Sequence, residues 1–336
     1  MAEERLMETP IRRVRNKPKH PPYTWLGDKQ EPASLKRARN SLREHLKFLG
    51  VIGLIIIESS GRFGNQLFQY AGVVCFSKRR ETILLVGFHQ LASYFGDAVG
   101  GRIRRLSLRA FHLLCRLPRK IMGLPVLGEV LLGGRGQSLF RKRGIFPIYI
   151  WRAGYCQDEA LIAGNAVLKL YESRQLLKTR PHDDVSQEQK TPQCFVHVRR
   201  GDYLKAPPES SPVIPLSWFR DQIAEIRGAL GVVEFVFFSE DYHWLEKHFP
   251  NDSDFLFFRG SDAESFAAMA GCQAGILSAS TFSWWAAYLA VNTGATGPFV
   301  APRYWMGWKN KTWYPANIES QFLSYALVGD RNPREE

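Results

Sequence analysis

The chain has 336 residues, of which 45% are hydrophobic and 23% charged, with nine tryptophans and a formal net charge of +13. That is the composition of a soluble globular protein of roughly two domains, and a chain this long buries about 75% of its extended surface, so its core needs no covalent or metal staples. The positive charge points to anionic ligands (nucleotide phosphates, nucleic acid or an acidic membrane surface) without choosing among them.

Residues 1–48 carry twelve Lys/Arg against six acids and read as a basic tail, partly disordered. No signal peptide is visible in this mixed-charge, proline-containing opening. The apolar run 48–57, "FLGVIGLIII", is about half the length needed to cross a bilayer and reads as a buried parallel strand over 51–58. A helix over 65–80 follows, with Leu67, Tyr70, Ala71 and Val74 inward, and then a strand over 82–87.

Residues 102–143 hold eleven basic residues against the single acid Glu129. Within them, 102–120 reads as a basic amphipathic helix. Ile103, Leu106, Ala110, Leu113 and Leu117 share one face, with Arg102, Arg105, Arg109 and Arg116 largely elsewhere. Such a helix either packs with a solvated basic face, the preferred reading, or makes a peripheral contact with an anionic membrane. The glycine-rich "GGRGQ" follows as a turn, and a strand covers 146–151.

The polar stretch 178–193 separates an N-terminal α/β domain, 49–180, from a C-terminal one, 190–325. In the second, strands at 194–198, 232–238, 255–258, 275–279 and 298–301 alternate with helices at 216–229, 242–248, 263–271 and 282–293. This alternation predicts a doubly wound parallel sheet, and two α/β domains facing each other across a cleft. The five cysteines show neither C-x-x-C nor zinc spacing, and Cys75, Cys194 and Cys272 read as core thiols.

Ligands of open α/β sheets bind beyond the carboxyl ends of strands. Three polar segments stand at such ends: "RRGD" (199–202), "SED" (239–241) and "SAST" (278–281). Arginine's planar fork suits phosphate, so Arg199 and Arg200 are candidate clamps, with an internal ion pair closing the turn as the alternative. His197 lies on its strand and reads as a core histidine rather than a base. Ser280 or Thr281 suits the N-cap of a helix whose free N–H groups offer an anion site, while Trp284 and Trp285 pack inward. On the other rim, "ESSGRFGNQLFQYAG" (58–72) lacks both the dinucleotide and the Walker spacing, but its glycines allow close backbone approach and Asn65 and Gln66 offer amides.

Taken together, "GRFGNQLFQYA" (61–71), "HVRRGDY" (197–203) and "CQAGILSASTFSWWAAYL" (272–289) resemble, in order, the motifs of the α-1,2-fucosyltransferases of glycosyltransferase family 11. The resemblance spans about residues 53–305. It implies a GT-B-like fold, GDP-β-L-fucose as donor, a terminal galactose of a glycan as acceptor, inversion at the anomeric carbon, and no required metal or other cofactor. It assigns Arg199 to the β-phosphate of GDP, with Arg200 and Asp202 fixing the loop. Ser280, Thr281, Phe282 and Ser283 would line the pyrophosphate and fucose, His197 belongs to the substrate-binding set, and Gly64 and Asn65 would approach the sugars. It also implies a Golgi location, although the membrane anchor usual in animal members is not visible in this chain. The acidic residue the family carries near the start of the helix before Cys272 aligns with Ser265, with Asp262 and Glu264 just upstream.

Candidates for a general base are Asp202, Glu209 and Glu240, and an aspartate beside two arginines makes a weak one. Three rival readings stand beside this. One is a metal-dependent transferase using Asp252 and Asp254, placed at the sheet's opposite edge. Another is a nucleic-acid-binding protein, against which the aromatic residues lie in apolar segments rather than among basic ones. The third is a non-catalytic sugar-binding module.

Overall fold

The computed structural model describes residues 37, 40–41, 53–96, 103–106, 109, 120–121, 124–133, 138–162, 166–172, 191–249 and 252–329. Nearly all of the expected basic tail, and residues 178–190 of the polar stretch, lie outside the described residues.

The N-terminal half runs β1 (Gly53–Glu58), α1 (Phe63–Phe76), β2 (Glu81–Val86), α2 (His89–Phe95), β3 (Ile103–Leu106), a small ribbon of β4 (Lys120–Ile121) and β5 (Leu124–Pro125), β6 (Gly128–Leu132), β7 (Leu139–Lys142), β8 (Ile148–Trp151) and α3 (Ala166–Glu172). The C-terminal half runs β9 (Gln193–His197), α4 (Leu216–Leu230), β10 (Glu234–Phe238), α5 (Tyr242–His248), β11 (Phe255–Phe257), α6 (Asp262–Ala270), β12 (Ala274–Ile276), α7 (Thr281–Asn292), β13 (Phe299–Pro302) and β14 (Ser324–Ala326).

The three consecutive isoleucines of β1 are β-branched, stiff at χ1 and fully buried, as expected of a central parallel strand covered on both faces. The N-terminal sheet is ordered β3-β2-β1-β8-β6-β7, parallel except for the β6–β7 hairpin. The C-terminal sheet is ordered β11-β10-β9-β12-β13-β14 and is parallel throughout. Its strands thus take the doubly wound order 3-2-1-4-5-6. The two Rossmann-like halves face each other across a cleft, a GT-B-like architecture.

The main hydrophobic cluster spans both halves, with a second one on the other face of the C-terminal sheet. It joins Ile55 and Ile57 of β1 and Leu67 and Phe68 of α1 to Phe195 of β9 and to Trp284 and Trp285 of α7. The two helices meet at the seam, where the Phe68 ring lies 4.6 Å from Trp284 and 4.9 Å from Trp285. Between two sheets a helix has no solvent face. Accordingly α1 is buried nearly all round from Phe63 to Val73, rather than on the single stripe that Leu67, Tyr70, Ala71 and Val74 define. Its last turn runs past the core, so Cys75 is exposed, while Cys194 and Cys272 are buried as expected.

The expected helix over 102–120 does not begin as a helix. Ile103–Leu106 is an extended strand, parallel to β2 with Ile83 opposite Ile103, because the open backbone edge of β2 offers it a ladder of hydrogen bonds. Apart from Arg109 and Lys120, the remainder of that segment lies outside the described residues. No helix among the described residues is long and apolar enough to cross a membrane.

Candidate functional site

Where the order of an open α/β sheet reverses, the loops leaving two neighbouring strands go to opposite faces and open a crevice. In the C-terminal sheet the reversal lies between β9 and β12, and in the N-terminal sheet between β1 and β8. The four loops leaving these strands meet. Gly61–Asn65 after β1, Ala153–Asp158 after β8, Arg199–Tyr203 after β9 and Ala279–Phe282 after β12 all contribute to a single cavity of about 1240 Å³. Ser239 and Glu240, after β10, complete that side. The three strand-end segments expected to share one rim do share it.

The loop after β9 is held by its neighbour after β12. Ser278 Oγ donates to the His197 carbonyl (2.7 Å) and accepts from the Arg199 N–H (2.9 Å), while the Tyr203 hydroxyl donates to the Ala279 carbonyl (2.8 Å). Burial pushes the Tyr203 phenol up to about 12, so it remains a donor. At Gly201 the backbone turns at φ +26°, and a β-carbon there would run into Glu240.

The two adjacent arginines point to different sides of the loop. Arg199 lines the cavity, its Nη2 2.5 Å from Asp202, its Nε 3.4 Å from Glu240 and its guanidinium 5.4 Å over the Tyr203 ring. Nη1 keeps no protein partner among the described residues and stands available to a ligand. Arg200 does not line the cavity. It is buried with its guanidinium 3.9 Å over Trp244 and its Nε 3.7 Å from Asp241. Arg200 therefore braces the loop through Trp244 and Asp241 rather than by pairing with Asp202. Asp202 instead pairs with Arg199 and, at 3.6 Å, with Arg62.

The start of α7 forms the adjacent wall. Ser280 occupies the N-cap position, yet its side chain makes no capping bond, so the first-turn N–H groups of Thr281, Phe282 and Ser283 have no side-chain acceptor there. Ser280, Thr281 and Phe282 line the cavity. The Ser283 side chain does not. It is fully buried and donates to the carbonyls of Ser280 (3.1 Å) and Ser278 (3.4 Å), so only its backbone can serve a ligand.

From the opposite half, Asn65 Oδ1 accepts from Thr281 Oγ1 (3.1 Å) and from Gln157 Nε2 (2.7 Å). Gly64 packs directly against α7. A β-carbon there would lie 2.5 Å from Thr281 Oγ1, 2.6 Å from the Thr281 carbonyl carbon and 2.7 Å from the Phe282 nitrogen, and the Gly64 carbonyl accepts from Trp285 Nε1 (3.0 Å). Gly64 thus lets two helix starts touch as well as lining the cavity.

At the start of the helix before Cys272, local chemistry separates the acidic candidates. Ser261 and Glu264 form a reciprocal capping box at the start of α6, which turns Glu264 onto the backbone, whereas Asp262 and Ser265 line the cavity. Asp252 and Asp254 lie at the amino end of β11, the far edge of the sheet, and both bind Arg227, at 3.2 Å and 2.8 Å.

His197 is 5% exposed, lines the cavity, and has no hydrogen-bond partner for Nδ1 among the described residues. Burial, with the nearby Arg199 charge, pushes its pKa down to about 3, against an ordinary 6.5, so the imidazole is neutral. The unfolded chain takes up this proton as pH falls below about 6.5 while the folded one does not, so His197 costs nothing above that pH and subtracts stability between about 6.5 and 3. The expected slope from this residue is up to about 1.4 kcal/mol per pH unit. Urea unfolding of the parent from pH 7.5 to pH 4.5 should show a steeper loss than His197→Gln, and parallel profiles would contradict the assignment.

Further cavity residues carried no signal in the sequence, among them Gln90, Tyr94, Tyr155, Gln157 and Tyr314. Gln157 reaches Asn65 from 92 positions away, which no local spacing announces.

The model of glycosyl transferase family 11 matches residues 173–306. The O-antigen biosynthesis glycosyltransferase WbnK of Escherichia coli is 33% identical over 296 residues, covering 75% of this chain and 95% of its own length. The galactoside α-(1,2)-fucosyltransferase 1 of Lagothrix lagotricha is 27% identical over 248 residues, covering 71% of this chain, which spans 66% of that relative's length. Among solved structures, the NodZ α-1,6-fucosyltransferase co-crystallised with GDP superposes with a TM-score of 0.45 at 14% identity, covering 70% of this chain and 92% of that one.

Proposed function

The chain belongs to glycosyl transferase family 11, and from that premise we propose that it transfers L-fucose, with inversion, from GDP-β-L-fucose to the 2-hydroxyl of a terminal galactose on a glycan. The observation that carries this reading is the meeting of both sheets' reversal points at one cavity, with Arg199 and the open start of α7 together on its C-terminal wall. A diphosphate needs such a pair of fixed positive poles. The opposite wall, from α1, α2 and the loop after β8, is left for the acceptor.

As the glycosidic bond to GDP breaks, negative charge grows on the β-phosphate. Arg199 and the N–H groups of Thr281–Ser283 are preorganised to meet it, and such donors need no reorganisation at the moment of reaction. Asp202 and Glu240 hold the Arg199 guanidinium in place from two sides. In this reading Asp202 positions Arg199 rather than accepting the acceptor's proton, because Arg199 and Arg62 already engage it.

Incubation with GDP-fucose and a panel of galactosides, followed by linkage analysis of the product, tests the reading. An α-1,2-linked fucosyl-galactoside is expected. Transfer to another position or another sugar would leave a fucosyltransferase of a different acceptor class, and absence of any transfer would leave a sugar-binding relative. Turnover is expected to persist in excess chelator, since Arg199 and the helix end meet the leaving-group charge. Loss on chelation that manganese restores would overturn this mechanism.

A further inference from the structure

Three residues that line this cavity each hold a buried polar atom with no hydrogen-bond partner among the described residues: Gln90 Oε1, Tyr94 Oη and His197 Nδ1. A buried polar group left unpaired is costly, and such groups are rare enough in folded proteins that three around one space call for a common cause.

Their arrangement has a definite chemistry. Gln90 and Tyr94 are four residues apart on α2 and therefore share a face. The Tyr94 ring stacks on Phe63, centroids 3.6 Å apart and planes 14° apart. Phe63 meets Phe282 edge-on at 6.1 Å, and Phe282 lies 5.9 Å from the His197 ring. The strip Gln90–Tyr94–Phe63–Phe282–His197 is thus polar at both ends and aromatic in the middle, and it crosses from one half of the molecule to the other. Nothing on it is charged, since the histidine is neutral, and burial, together with the nearby Asp262 carboxylate, pushes the Tyr94 phenol up and keeps its proton. A neutral ring with one apolar face and hydroxyls at its edge, a pyranose, fits that pattern.

We propose that Gln90 and Tyr94 read a hydroxyl of the acceptor pyranose and so set which acceptor sugar is used. The inference rests on the galactoside transfer proposed above. The assignment to acceptor rather than donor follows from position. Arg199 and the start of α7, the poles for the donor's diphosphate, belong to the C-terminal half, whereas Gln90 and Tyr94 stand on α2 of the other half, across the aromatic strip. The sugar against them is the one that does not arrive attached to the nucleotide.

Tyr94→Phe is the clean test, because it deletes only the phenol oxygen, which has no hydrogen-bond partner among the described residues, and it should not melt below the parent; Gln90→Leu removes Nε2 together with the unpartnered Oε1, so its melting curve is taken beside its kinetics. With GDP-fucose fixed and methyl galactoside varied, the acceptor KM should rise about fivefold to tenfold in each, the size of one lost hydrogen bond, with the donor KM unchanged. A set of deoxygalactosides gives the complementary result. One of them should lose the same factor against the parent and nothing further against Tyr94→Phe. Saturation-transfer NMR of the galactosides reads the same contact without turnover. If no fucose is transferred but galactoside binding still depends on Tyr94 and Gln90, the subsite stands and the donor assignment falls. If transfer proceeds and both variants keep the parental acceptor KM, or raise the donor KM instead, the subsite is wrong. Absence of saturation transfer from the parent to every galactoside would overturn it as well.

Discussion

Arg199→Lys is expected to lower fucosyl transfer by at least about a hundredfold, the loss typical of one transition-state donor. Lysine keeps the charge but has a single head. The guanidinium here is divided: Nε faces Glu240 and Nη2 faces Asp202, which leaves Nη1 for a phosphate oxygen. An ammonium cannot meet two carboxylates and a phosphate in one plane, so the charge alone should not rescue the reaction. The loss should appear in kcat with little change in melting temperature, since Arg199 stands on the cavity wall. Arg200→Lys should behave in the opposite way. Its guanidinium lies flat on Trp244 at 3.9 Å beside Asp241, a packing role that lysine cannot reproduce. Its cost should fall on stability and noticeably less on turnover. Steady-state rates and thermal melts of both variants decide the matter. Near-parental turnover by Arg199→Lys, or equal losses in turnover at both positions, would show that the phosphate pole has been given to the wrong arginine.

Gly64→Ala is expected to be the most damaging single-methyl change at the seam between the halves. The added carbon would lie 2.5–2.7 Å from Thr281 and Phe282, and two of the three atoms it meets are backbone, which cannot swing aside. Overpacking of this kind costs about 1–3 kcal/mol, which corresponds to roughly 2–12 °C in melting temperature for a domain of this size. Function should suffer beyond stability, because displacing the start of α7 also breaks the register of Thr281 with Asn65 and of Trp285 with the Gly64 carbonyl. The same methyl placed at Gly228, inside α4 with open space around it, should be neutral or raise stability by up to about 1 kcal/mol. Melting curves and initial rates of the two variants make the comparison. A Gly64→Ala protein as stable and as active as the Gly228→Ala one would remove the seam from the account.

The C-terminal half was largely legible in the sequence because its signals are local. Apolar β-rich runs such as "EFVFF" alternate with helices that carry their own punctuation, as at Gly231 and Gly271, and strand ends were marked by polar turns. The parallel sheet and the gathering of 199–202, 239–241 and 278–281 on one rim followed from that alternation. The motif segments also placed Asn65, Arg199, Asp202 and Thr281 at the cavity.

What the chain could not announce by itself lies in contacts distant in sequence. Ile103–Leu106 has helical periodicity and basic neighbours, but β2 had an open backbone edge to fill, and tertiary pairing outweighed the pattern. Which of two adjacent arginines faces the cavity depended on Asp241 and Trp244 arriving with the start of α5. Glu264 and Asp262, two residues apart, parted because one closes a cap and the other reaches the cavity. The Gln90–Tyr94 side of the cavity was hidden for the same reason. Gln90 and Tyr94 sit on an unremarkable short helix, and only the folding of α2 against Phe63 brings them to a cavity shared with His197, more than a hundred residues away. Periodicity and punctuation are written in neighbouring residues. The partner of a buried polar atom is chosen by whatever the fold brings opposite it.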